Sequence, residues 1–228
     1  MANSVPKEVA MKRFSRGSLV WQVLLLSCLI GISFFSIPSA GAQETVLDAW
    51  TTIKIPPAPI PKPVTVDPKT TALLLLDFNR QVCSVERRPR CIASIPQVKK
   101  LLTAARAKGL FVVYSLTVGS KRSDIAPDLA AREDEPAVTS GPDKFLGTDL
   151  AEILAARGIK TVIVTGTAAH GAVLNTASGA AFRGLRVILP VDGLSAESLY
   201  PEQYTVWHLL NAPLVSTRVT LTDIDLIH

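Results

Sequence analysis

From Thr71 the chain runs Ala-Leu-Leu-Leu-Leu and stops on a carboxylate, Asp77. A strand with one wet face alternates apolar and polar residues, so a run without alternation predicts a strand covered on both faces, as in a parallel sheet. Val162-Ile163-Val164, inside a strand expected over Lys160–Gly166, repeats the pattern. Helical stretches separate such runs. Ile95–Lys108 places Val98, Leu101, Leu102 and Ala105 at helical spacing and ends at Gly109. Leu110–Leu116 reads as a strand, Thr148–Arg157 as a helix capped by Thr148 and closed by Gly158, and His170–Arg183 as a helix rich in Ala and Gly. Leu185–Pro190 reads as a further strand, Pro201–Asn211 as an amphipathic helix and Leu214–Val219 as the last strand. Alternation of this kind demands right-handed βαβ crossovers. It predicts an α/β fold of three αβα layers around a doubly wound, mostly parallel, Rossmann-like sheet. Ligands of such sheets bind beyond the carboxyl ends of the strands where strand order reverses, which points to Asp77, Thr117 and the Gly166–His170 turn as neighbours.

The first 42 residues stand apart from this pattern. Lys7, Lys12, Arg13 and Arg16 precede an apolar stretch from Leu19 to Phe35, followed by Ala40-Gly41-Ala42 before Gln43. Basic, apolar and small-residue segments in that order predict a secretory signal peptide cleaved after Ala42 and a periplasmic or secreted product. An uncleaved membrane anchor is the competing reading, because the apolar stretch approaches the length of a short span. Leu25-Leu26-Ser27-Cys28 faintly resembles a lipoprotein box, but the apolar run continues past Cys28. Residues 43–69 then form a proline-rich strap, with six prolines between Ile55 and Pro68 that neither a helix nor a central strand accepts. The catalytic or binding domain is expected over residues 70–228.

The leader also explains the charge. It holds four basic residues and one acidic, so of the 24 basic and 19 acidic groups in the whole chain, 20 and 18 remain after its removal. A nearly neutral domain without basic runs interleaved with aromatics gives no reason to expect nucleic acid as a partner, and after cleavage none to expect a membrane. Cys83 and Cys91 are the two cysteines left, and in an oxidising compartment a disulfide is the favoured reading over free thiols or a nucleophile. His170, His208 and His228 lie far apart in sequence, and no metal-ligand spacing exists, so neither a metal nor another cofactor is expected. Residues 118–143 are polar and punctuated by Pro and Gly; they suggest a surface stretch with a short helix around Asp128–Arg132, and a lid is one use for it.

Asp77 is the first candidate for chemistry, because a carboxylate at the mouth of a buried sheet has a raised pKa and can act as general acid or base. A structural cap for the following turn is the plain alternative. The second candidate is the stretch Val162-Ile163-Val164-Thr165-Gly166-Thr167-Ala168-Ala169-His170-Gly171-Ala172-Val173-Leu174-Asn175-Thr176-Ala177, a strand, a tight turn and a helix of small residues whose backbone N–H groups can approach a ligand closely. Thr167, Ala168, His170 and Gly171 are the expected substrate contacts there. Arg80, Arg87, Arg88 and Arg90 follow the first strand; they read as a solvated basic loop, or as receivers of a substrate carboxylate.

These segments, with Lys144-Phe145-Leu146-Gly147-Thr148-Asp149-Leu150 and Val187-Ile188-Leu189-Pro190-Val191-Asp192-Gly193-Leu194-Ser195, resemble the isochorismatase-like hydrolase superfamily over about Thr71 to Leu199. The resemblance implies the doubly wound fold already expected. It also implies a catalytic Asp, Lys and Cys, falling on Asp77, on Lys144 and, at the nucleophile position, on Ala172. An alanine cannot attack a carbonyl. Isochorismatases of siderophore-type pathways also lack the cysteine and carry an Ala-His pair similar to Ala169-His170; their resemblance implies hydrolysis of a vinyl ether by proton donation from Asp77. Lys144 touches Phe145 directly, whereas the family's lysine usually stands several residues earlier, so Lys144 is either an active-site group or a solvated loop residue.

Two functions follow. The first is an exported hydrolase acting without a cysteine nucleophile on a small molecule, for which a carboxylated one is a candidate. The second is a non-catalytic binding protein that kept the pocket. The face formed by Tyr204, Trp207, Leu209 and Leu210 leaves open a homo-oligomer as well as packing on the sheet.

Overall fold

A computed structural model describes residues 43–228. The expected leader, with Cys28 and the cleavage site, lies outside the described residues. Among those described, no helix is long and apolar enough to cross a membrane. Of the described residues, 43–55 belong to one unit and Pro56–His228 form another. In the first, the Thr45 amide and hydroxyl both donate to Asp48 Oδ2, at 2.9 and 2.7 Å.

The second unit is the α/β body, and the later part of the proline-rich strap belongs to it. Where the strap is free of proline it can donate: Lys62 N–H bonds Leu221 O, and Val64 N–H bonds Leu226 O, both at 2.9 Å. The elements that follow are β1 (Thr71–Leu76), α1 (Pro89–Ala107), β2 (Phe111–Leu116), β3 (Ala137–Thr139), α2 (Leu150–Ala156) and β4 (Thr161–Thr167). Then come α3 (Leu174–Phe182), β5 (Arg186–Pro190), β6 (Leu194–Ser195), α4 (Leu199–Asn211) and β7 (Val219–Thr222). All pairings between these strands are parallel, in the order β3-β2-β1-β4-β5-β7, with β6 also pairing with β4. The chain builds outward from β1 to β3 and then returns to place β4 on the other side of β1. The reversal of strand order therefore lies between β1 and β4.

β1 explains why its sequence does not alternate. Ala72, Leu74 and Leu76 enter one core, shared with α2, α3 and α4, while Leu73 and Leu75 enter the other, shared with α1. Both faces are dry, so both registers of the strand must be apolar.

Several boundaries differ from those expected. α1 begins at Pro89 rather than Ile95, because proline is tolerated in a first turn whose N–H groups lack helical partners anyway. The last strand is Val219–Thr222 rather than Leu214–Val219; Leu214 has φ +64° and is exposed, which takes it out of any sheet. The helix expected near Asp128–Arg132 is a single 3₁₀ turn at Pro127–Leu129, preceded by another at Arg122–Asp124. The helix expected from His170 opens instead with a π-type turn over Ala169–Val173. Residues 118–143 are not a detached lid. Leu129 is fully buried, and Glu135 ties the stretch to α1 through Arg106.

Candidate active site

The β1–β4 reversal places two chain segments side by side. Leu76 is in register with Gly166, so the residues beyond each strand, Asp77 on one and the Thr167–Ala172 turn on the other, open at the same end of the sheet. The approach is closer than a side chain permits: a Cβ on Gly166, at φ +145°, would lie 2.4 Å from Leu76 O. Only glycine fits. Asp77 itself turns out of the strand at φ +56°, a left-handed conformation that aspartate tolerates better than most residues. Its side chain is 7% exposed.

Lys144 reaches it. The Lys144 ammonium, itself fully buried, donates to Asp77 Oδ2 at 2.7 Å and to Ser140 O at 3.3 Å. The loop that carries Lys144 is held at several points. Lys144 N–H donates to Thr176 Oγ1 of α3 at 3.2 Å, the Thr148 hydroxyl donates to Lys144 O, and Asp143 Oδ1 accepts from Phe145 N–H at 3.0 Å. The Arg183 guanidinium lies 4.5 Å from the Phe145 ring centroid and covers it. A lysine adjacent to this phenylalanine therefore serves the site without a longer loop.

Ser115 completes the carboxylate's partners. It stands opposite Leu76 in the β1–β2 register, and its hydroxyl donates to Asp77 Oδ1 at 2.8 Å. Thr117, expected beside Asp77, instead bonds Asn79 Nδ2 through its hydroxyl at 3.0 Å. Burial is the strongest influence on Asp77 and pushes its carboxyl above the ordinary aspartate value of 3.8, against the Lys144 charge and hydrogen bond, the Ser115 hydroxyl and the more distant Arg88 charge. Burial prevails because one ammonium and one hydroxyl leave the carboxylate short of donors.

The turn after β4 is partly as expected. Its Thr167–Ala168 peptide is cis. The amides of Gly171 and Val173 donate to Ala168 O at 3.0 and 3.3 Å, so these two N–H groups are engaged inside the turn. The Thr167 hydroxyl donates to Ser195 O at 3.1 Å. Ala172 is 3% exposed and lies in the apolar cluster that includes Leu76, Phe145 and Ala169. His170 is exposed, with Nδ1 3.9 Å from Glu197 Oε2.

The arginine loop divides. Arg80, 78% exposed at its side chain, pairs with Asp124, and Arg90 forms a two-pronged pair with Glu202. Arg88 is only 11% exposed and binds Glu197. A disulfide joins Cys83 to Cys91 across this loop, with 5.4 Å between the Cα atoms. No cluster of His, Cys, Asp and Glu suited to a metal occurs among the described residues. A shallow depression of about 570 Å³ opens between β3 and the start of α2, where the lining groups with charge are Asp149 and Glu152. Two carboxylates without a counter-charge offer less chemistry than the buried Asp77–Lys144 pair, which is the candidate site.

The profile of the Isochorismatase domain matches residues 71–219, most of the body just described. The chain belongs to the isochorismatase family. A curated family relative, the secreted isochorismatase effector Isc1 of Verticillium dahliae, is 30% identical over 144 residues, covering 58% of this chain and 76% of the relative. An isochorismatase-like hydrolase from Alkaliphilus metalliredigens superposes with a TM-score of 0.62 at 25% identity, over 68% of this chain and 95% of that one. The N-carbamoylsarcosine amidase of Thermoplasma acidophilum shares the fold, with a TM-score of 0.58 at 22% identity over 68% and 97% of the two chains.

Proposed function

We propose that this family member is an exported hydrolase in which Asp77 supplies and recovers the proton and no cysteine takes part. The observation that carries the reading is the buried Asp77–Lys144 contact of 2.7 Å, and the resemblance that puts the family's nucleophile position at Ala172 supports it. A carboxyl with raised proton affinity can hold its proton for transfer, and the Lys144 charge stabilises the carboxylate left behind. On a vinyl ether the proton passes from Asp77 to the terminal alkene carbon, whose π electrons form the new C–H bond. Water then adds to the resulting oxocarbenium carbon; one of its protons restores Asp77, and the other passes to the ether oxygen as the hemiketal C–O bond breaks, releasing an alcohol and a carbonyl compound. No atom of residue 172 enters this sequence.

The basic, apolar and A-x-A pattern of residues 1–42 supports export, in keeping with the description of the fungal relative as secreted. N-terminal sequencing of the exported product is expected to start at Gln43. The experiment for the activity is turnover on a panel of isochorismate-like vinyl ethers and simple amides, with Asp77→Asn alongside. Vinyl-ether turnover lost in the variant bears the proposal out; amide turnover that survives in Asp77→Asn overturns it. Ala172 also favours a second reading, a binding protein without turnover, which predicts saturable binding insensitive to Asp77→Asn.

A further inference from the structure

Arg88 differs from the other arginines of its loop in where it is held and by what. It immediately precedes Pro89 at the start of α1, within the span closed by the Cys83–Cys91 disulfide, and its Nη1 donates to Val82 O at 3.3 Å. The outer edge of its guanidinium faces Glu197, on the short link between β6 and α4. Nε and Nη2 both converge on Oε1, at 2.9 and 2.8 Å. A planar fork of this kind matches a carboxylate that offers two oxygens, one to each N–H. Glu197 offers one; its Oε2 is turned toward His170 Nδ1 at 3.9 Å, beyond hydrogen-bond reach. The pair is also unequal in freedom, since the Glu197 side chain is 47% exposed and Arg88 only 11%. Glu197 is the partner that can leave.

A second, independent group is unfilled on the same side of the sheet. Ser195 is 1% exposed, and its hydroxyl has no hydrogen-bond partner among the described residues. Leu194 and Ala196 enter the core shared with α2, α3 and α4, so alternation along β6 turns Ser195 to the face that α1 covers. A buried hydroxyl without a partner is costly, and an incoming acceptor relieves it. Ser195 stands opposite Thr167 in the β4–β6 register, and Glu197 turns toward His170, which places this arrangement beside the turn that follows β4.

We propose that Arg88, with the Ser195 hydroxyl, seats a carboxylate of the substrate, and that Glu197 occupies the seat until the substrate displaces it. The present occupant is itself a carboxylate on a planar fork, which favours a planar carboxylate over a tetrahedral phosphate. The substrate class is therefore a small carboxylic acid whose reacting bond lies toward Asp77. This deepens the hydrolase reading and rests on Asp77 marking the site.

The test is calorimetric titration of the full chain with benzoate and, as its uncharged twin, benzamide. Arg88→Gln is expected to weaken benzoate binding by about tenfold or more, and Glu197→Gln to tighten it by about tenfold by vacating the seat. Arg88→Lys, which keeps the charge without the fork, falls between wild type and Arg88→Gln, and benzamide changes by less than about twofold throughout. Circular dichroism checks each variant; if Arg88→Gln does not fold, Arg88→Lys and Glu197→Gln decide. Equal benzoate affinity across the set, no preference for benzoate over benzamide, or no benzoate binding at all overturns the proposal. Turnover that persists in Asp77→Asn sinks the hydrolysis reading instead, while the benzoate series still decides the seat.

Discussion

Glu135 lies between Arg106 and the Arg132 amide; Asp77 lies between Lys144 and Ser115. Both carboxylates are buried beside β2, and consecutive residues of that strand serve them: the Tyr114 hydroxyl accepts from Arg106 Nη2 at 3.1 Å, and the Ser115 hydroxyl donates to Asp77 at 2.8 Å. The two groups nonetheless move in opposite directions. Burial pushes Glu135 up, but Arg106 donates through Nε and Nη2 at 2.8 and 2.7 Å, the Arg132 amide adds a third bond at 2.8 Å, and the net effect is a carboxyl below its ordinary range. Asp77 receives two donors and stays above its range. The number of donors, rather than the mere presence of a cation, separates the carboxyl that is lowered from the one that is raised.

The comparison breaks most visibly at turnover. Asp77→Asn is expected to lower it by about 10²- to 10⁴-fold, the ordinary contribution of a general acid, with the melting transition retained. Vinyl-ether turnover that survives the substitution would remove Asp77 from the chemistry. Glu135→Gln should act on stability instead, stranding a largely buried guanidinium and costing about 3 kcal/mol in urea unfolding. A loss below about 1 kcal/mol would show that Glu135 is no more than a surface-grade pair.

Acid titration of stability should separate the two carboxylates by sign. Glu135 is lowered in the folded state, so its contribution is complete above 4.5 and is lost as pH falls through the folded value; the gap between wild type and Glu135→Gln therefore narrows in acid. Asp77 is raised, so its contribution is complete below 3.8 and is lost as pH rises through the folded value; wild type loses ground to Asp77→Asn in that direction. Parallel curves for the two variants would erase the distinction. The smallest effect concerns Lys144→Met, which removes a charge and a hydrogen bond that favour the ionised Asp77. The falling limb of the pH–activity profile should then move to higher pH, and an unmoved limb would mean that Asp77 is not the group it reports.

The reading of the sequence succeeded where the physics was local and continuous. β1 and β4 announce themselves because both faces must be apolar, and Asp77 is visible as the carboxylate at the end of such a run. β3 and β6, three and two residues long, carry no pattern of their own and exist only through the neighbours they pair with. Ser115 was a readable signal, a polar residue inside Phe-Val-Val-Tyr-Ser-Leu, but its meaning depends on the register that sets it opposite Leu76. Arg88 and Glu197 are 109 positions apart. No spacing rule joins them, and the run of arginines around Arg88 disguises the one that is buried.

The contact between Gly166 and Leu76 O has a consequence for how such a protein can change. Because the backbones of β1 and β4 touch there without an intervening side chain, they act as a fixed ruler between Asp77 and the turn that follows β4. The segments that follow, residues 78–88 and 196–198, lie beyond the end of that ruler and can change in length or sequence without shifting the strand register. A single residue inserted inside β1 would instead slip the register and send every later side chain of the strand to the opposite face. Change in this protein therefore has an open route through those segments and a closed one through the strands.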